Sequence, residues 1–134
     1  MQLALRVPDL ETSVRFYSSL FGVAPAKRRP GYANFAVTDP PLKLVLLEGE
    51  PGRPTAMDHL GVEVGTPEEV GAATGRLAAE GLSTVVENDV VCCFARQDKV
   101  WATAPGAESW EVYTVTGDSA VYGTEGVTAT CCRT

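Results

Sequence analysis

Histidine is almost missing from this chain: His59 is the single one among 134 residues. Basic clusters are scarce too. Lys27, Arg28 and Arg29 form the only run, against 11 Lys and Arg, 17 Asp and Glu, and a net charge of -6 overall. So short a basic run in an acidic background cannot grip a phosphate backbone, which excludes nucleic acid as a partner. The run reads as a solvated loop. No apolar stretch approaches the roughly 20 residues that cross a bilayer, and the N-terminus lacks the basic patch and apolar core of a signal peptide. A soluble cytoplasmic protein without membrane contact is expected.

What is present suffices for one ordinary domain. A hydrophobic fraction of 45% over 134 residues supplies a real core. The four cysteines fall as two adjacent pairs, Cys92-Cys93 and Cys131-Cys132. In a cytosolic chain such thiols stay reduced, so metal binding or redox work outranks a disulfide framework. Neighbouring cysteines would close only a strained small ring.

Gln2 to Val7 reads as a strand ended by Pro8, with Asp9 as the cap of a following helix. Leu10, Val14, Tyr17 and Phe21 recur on one helical face, and Gly22 stops it. Tyr32 to Val37 and Leu42 to Glu48 are strands around the turn Asp39-Pro40-Pro41, and a Pro/Gly linker covers 50–54. The pattern then restarts. His59 to Val64 is a strand, and Thr66-Pro67-Glu68-Glu69 carries a capping box with proline at the first helical position. A weaker helix follows, stopped at Gly81, then strands at Ser83 to Glu87, Lys99 to Ala104 and Ser109 to Val115.

Two βαβββ modules, 1–49 and 57–116, thus form one α+β domain over 1–116, followed by a small, polar tail at 117–134. Gln2 in the first module matches His59 in the second. From Gly22 to Leu44 is 22 positions, and from Gly81 to Glu111 is 30, so the second module carries about eight extra residues. They fall most naturally in an irregular loop around Asn88 to Asp98, where the first cysteine pair sits. A loop added at an otherwise symmetric position suggests function.

A histidine opening a strand is usually structural, as is a glutamate in Trp110-Glu111-Val112-Tyr113. The repeat raises the two together with Gln2, because equivalent strand starts converge on one cleft. Leu44 is the counterpart of Glu111 and cannot ligate, so the chain offers three ligands and open positions. One amide oxygen, one imidazole and one carboxylate approximate the facial triad of oxygen-activating Fe(II) sites.

Val7-Pro8-Asp9-Leu10, Phe16-Tyr17, Leu20-Phe21-Gly22, His59-Leu60-Gly61-Val62 and Trp110 to Tyr113 resemble the vicinal oxygen chelate superfamily, whose glyoxalase and extradiol dioxygenase-like fold surrounds a metal cleft. Pro30 to Phe35, Pro40 to Leu46, Cys92-Cys93 and Gln97 to Trp101 are similar to a narrower group, the organoarsenical carbon–arsenic lyases and a cadmium-induced protein. The resemblance implies an Fe(II)-dependent dioxygenase with O2 as co-substrate. It implies Gln2, His59 and Glu111 as iron ligands, and Cys92 and Cys93 as holders of the substrate arsenic.

The chemistry fits. Trivalent arsenic is thiophilic, and two thiolates replace both exchangeable oxygens of methylarsenite, leaving the carbon as the only free arm. Successive strand residues face opposite ways, so both sulfurs reach one atom only if this stretch departs from regular strand. The plain alternative is a pair of inert, partly buried small hydrophobes. Cys131-Cys132 relay arsenic or are tail thiols, Gln97 and Lys99 shape or gate the loop, and Trp101 and Trp110 are expected in the core. A non-catalytic cadmium- or arsenic-binding resistance protein is the competing function. An isomerase of the glyoxalase type is disfavoured by Leu44 and the cysteines. A homodimer is allowed but not required, since both modules lie in one chain.

Overall fold

Pro8 ends β1 (Gln2–Val7), and Asp9 caps α1 (Leu10–Phe21) by accepting the Thr12 N–H at 3.0 Å. The computed structural model describes residues 1–123. Gly22 closes α1 at φ 67°, a left-handed conformation that costs glycine little, and its N–H donates to the Ser18 carbonyl. The chain divides into two compact units, Met1–Leu60 and the residues from Gly61 on.

In the first unit, β2 (Lys27–Arg29), β3 (Tyr32–Thr38), β4 (Pro41–Glu48) and β1 lie side by side in the order β2-β3-β4-β1. The β3 strand is antiparallel to both neighbours, whereas β1 runs parallel to β4 with Gln2 opposite Lys43. Leu10 and Val14 of α1 pack on Phe35, Leu44 and Leu46, with Tyr17 and Phe21 partly buried beside them. That spacing is the helical face expected from the sequence. The basic run differs from expectation: Lys27 to Arg29 is a short strand, not a solvated loop. Its side chains are charged, but its backbone pairs, Lys27 opposite Asn34. Short charged strands suit a sheet edge because they discourage further pairing.

The strand β5 (Ala56–Glu63) runs across the division between the units. Thr66 then caps α2 (Pro67–Ala79) with a complete capping box: its hydroxyl accepts the Glu69 N–H at 3.2 Å, and the Glu69 carboxylate accepts the Thr66 N–H at 2.9 Å. Replacing Thr66 by alanine is expected to cost about 1 kcal/mol of stability, read as a lower denaturation midpoint at unchanged slope. Val70 and Ala73 bury the helix against Val100 and Val112.

The remaining strands are β6 (Thr84–Cys92), β7 (Ala95–Thr103) and β8 (Ser109–Asp118), with β7 central and antiparallel to both. The βαβββ order therefore occurs twice. The extra length of the second module takes a different form from the one expected. β6 and β7 have 9 residues each where β2 and β3 have 3 and 7, so the stretch expected as an irregular loop is mostly paired strand. Nor does the tail start at Gly117, because Gly117 and Asp118 continue β8 opposite Arg96 and Ala95. Cys131 and Cys132 lie outside the described residues. Among the described residues no helix is long and apolar enough to cross a membrane.

Candidate active site

Strand β1 begins at Gln2 and buries its side chain, and His59 of β5 is 2% exposed. Within the first unit the two meet, the Gln2 amide Nε2 lying 3.0 Å from His59 Nε2. On the other side of the ring, His59 Nδ1 lies 2.7 Å from Asp58 Oδ2. Arg6 reaches Asp58 Oδ1 at 3.1 Å and also donates to the Glu48 carbonyl at 3.2 Å. Burial pushes the Asp58 carboxyl up, but the hydrogen bond from His59 and then the Arg6 guanidinium outweigh it. Asp58 therefore sits below the ordinary carboxylate value.

The second unit carries a buried polar cluster of its own. Along β7, Gln97, Lys99 and Trp101 share one face by the period of two, while Val100 points to α2. All three are buried, and Lys99 is 1% exposed. Its ammonium donates to Glu111 Oε2 of β8 at 2.8 Å and lies 5.3 Å from the Trp101 ring and 5.9 Å from that of Tyr113. A buried lysine survives only with such a counter-charge and aromatic faces. The Trp101 indole N–H donates to Glu87 at 2.6 Å, which anchors the ring beside Lys99.

At the tip of the β6–β7 hairpin, Cys92 pairs with Ala95, leaving Cys93 and Phe94 as a two-residue turn. Both have positive φ, 51° and 61°, as a type I′ turn requires, although neither is glycine. This turn, rather than a long loop, breaks the strand alternation. It leaves the two sulfurs 3.8 Å apart. The hairpin also curls. A straight one would hold Ala95, the partner of Cys92, about 20 Å from Trp101, six residues on. Instead Cys92 packs against Trp101, with Cys93 against both. Register shifts between Glu87 and Val90, and between Arg96 and Gln97, provide the bend.

Further bonds hold the turn. Gln97 Nε2 donates to the Cys92 carbonyl at 2.7 Å, Ser119 N–H donates to the Phe94 carbonyl at 3.0 Å, and Tyr122 meets Phe94 edge to face. One expectation fails here. Cys92 is disulfide-bonded and Cys93 is not. The small ring that neighbours would form is avoided for its strain. Cys92 must be reduced before both sulfurs can take one atom.

A family model described as Glyoxalase/Bleomycin resistance protein/Dioxygenase superfamily matches residues 1–112. The chain belongs to this superfamily. It is 64% identical over 119 residues to the trivalent organoarsenical cleaving enzyme of Thermomonospora curvata, covering 89% of this chain and 79% of that protein. It is 54% identical over 140 residues to the cadmium-induced protein CadI of Mycobacterium tuberculosis, covering 98% and 91%. The α+β fold matches the Mn(II)-bound glyoxalase of Novosphingobium aromaticivorans with a TM-score of 0.65 at 16% identity, over 89% of this chain and 39% of that one. It matches a homoprotocatechuate 2,3-dioxygenase variant from B. fuscum at 0.63 and 22% identity, over 87% and 32%.

For a superfamily member, the donors suit a divalent metal of intermediate softness. Gln2 and His59 offer an amide and an imidazole at one buried point, and Glu111 offers a carboxylate already paired with a cation. Among the described residues, no group of three or more His, Cys, Asp or Glu side chains is placed to hold a metal ion. Leu44, the counterpart of Glu111, is in the hydrophobic core. Sequence reasoning missed Asp58 and Glu87 and put Trp101 in the core alone. Asp58, directly before the only histidine, was the one visible clue.

Proposed function

We propose that the protein is a non-haem Fe(II)-dependent dioxygenase that cleaves the carbon–arsenic bond of trivalent organoarsenicals such as methylarsenite in the cytoplasm. One observation carries this reading: two cysteine sulfurs 3.8 Å apart on a hairpin curled onto Trp101, whose strand neighbour Lys99 is paired with Glu111. The 64% identical relative is named for the same reaction class.

In the first step the reduced Cys92 and Cys93 displace both hydroxyls of methylarsenite, releasing two waters and forming two sulfur–arsenic bonds. The carbon is then the only free arm, and two bonds fix its direction where one would let it rotate. Gln2, His59 and Glu111 would hold Fe(II), which supplies activation of O2 when bound. The balance closes with O2 as the oxidant: methylarsenite and O2 give formaldehyde and arsenite, the carbon losing the electrons that both oxygens gain. Lys99 holds the Glu111 carboxylate in place, and Trp101 packs against the cysteine pair.

A second reading has support in the 54% identity to a cadmium-induced protein: the thiols bind a soft metal and no chemistry follows. Loading reduced protein with Fe(II) under anaerobic conditions, then pulsing with oxygen, separates the two. Arsenite release from methylarsenite that needs both Fe(II) and O2 is expected. Equal release without oxygen rules out the dioxygenase, and arsenic retention without release favours the binding protein.

A further inference from the structure

The chain Arg6–Asp58–His59–Gln2 has a direction. A carboxylate can only accept, so the 2.7 Å contact puts a proton on His59 Nδ1. The amide nitrogen of Gln2 can only donate, so the 3.0 Å contact on the far side makes His59 Nε2 an acceptor. Two independent partners thus select one form of the ring, neutral, with its lone pair on Nε2 beside Gln2. Asp58 in turn is anchored by Arg6 at 3.1 Å, which is itself tied to the Glu48 carbonyl.

We propose that Asp58, anchored by Arg6, is the positioning residue for His59, fixing the proton on Nδ1 and presenting Nε2 as the metal-binding atom. The inference rests on the reading of His59 as a metal ligand, but the ring's proton placement stands apart from it. A ligating histidine whose other nitrogen is held by a carboxylate is oriented and made more basic, and loss of the carboxylate weakens metal binding 10- to 100-fold as a rule. Metal binding then needs one change in Gln2: its amide must turn to offer oxygen instead of nitrogen, which breaks the bond to Nε2 and frees that lone pair.

Because His59 is the only histidine, its ring nitrogens can be observed alone. In 15N-labelled metal-free protein, long-range nitrogen–proton correlations are expected to show a protonated Nδ1 and a bare Nε2. Asp58→Ala should move the proton to Nε2 or give a mixture, while Asp58→Asn, which keeps an acceptor oxygen, should retain the wild-type form in part. Titration with Mn(II) alone, followed by calorimetry, should show affinity falling about 10- to 100-fold in Asp58→Ala and less in Asp58→Asn. A wild-type ring protonated on Nε2, or an Asp58→Ala protein with unchanged tautomer and unchanged Mn(II) affinity, overturns the inference. Failure of every variant and the wild type to release arsenite, with the tautomer and affinity shifts present, overturns the proposed reaction and leaves this inference standing.

Discussion

Cys93→Ser is expected to lower arsenite release by about three orders of magnitude while leaving iron binding intact. Well-oriented intramolecular reactions reach effective molarities of about 10⁵ M and above, and misplacement by 1 Å costs about 100-fold. A single sulfur–arsenic bond leaves the carbon free to swing through far more than that. Cys92→Ser should be as damaging, although Cys92 packs against Trp101 and Cys93 sits in the turn. Indole fluorescence gives a second reading, since Trp101 lies against the sulfurs. Methylarsenite should change the emission of the reduced wild type, and much less that of either serine variant. Protein kept oxidised at Cys92 should behave like Cys92→Ser until a phosphine reductant is added. Wild-type turnover in either variant would show that arsenic is held elsewhere.

Glu111→Ala is expected to destabilise the metal-free protein by about 3–5 kcal/mol, because it strands a buried ammonium. Lys99 is 1% exposed, and its carboxylate partner is at 2.8 Å. Lys99→Met should also be costly, since it removes the cation beside a buried carboxylate. Replacing both, as Lys99→Met with Glu111→Leu, should recover most of the loss, because similar apolar volume without charge often matches or exceeds a buried ion pair. Urea denaturation of the four proteins, analysed as a double-mutant cycle, measures this directly. Additive losses in the double variant would mean that the ion pair is not the source of the cost. The Glu111→Ala result also bears on iron: weak metal binding there is interpretable only at temperatures where the fold remains intact.

Much of the fold was legible because its signals are local. Asp9, Gly22, Thr66 and Glu69 mark helix ends through hydrogen bonds that reach a few residues, and the apolar spacing in α1 shows which face is buried. The short strand Lys27–Arg29 was illegible because its pairing uses backbone groups, which all residues carry alike. The curl of the β6–β7 hairpin was illegible for a related reason. It depends on register shifts between strands, and register is set by partners distant in sequence.

The sequence by itself determined the tandem βαβββ order and singled out Gln2, His59, Glu111 and the pair Cys92-Cys93, because rarity and repetition are visible in one dimension. Tertiary structure decided what each of these touches. It paired Gln2 with His59, set Asp58 behind the ring, matched Lys99 to Glu111, and placed both sulfurs 3.8 Å apart on a two-residue turn rather than in a loose loop. The physical reason is that side-chain chemistry is a property of residues, whereas hydrogen-bond direction and thiol spacing are properties of distances between them.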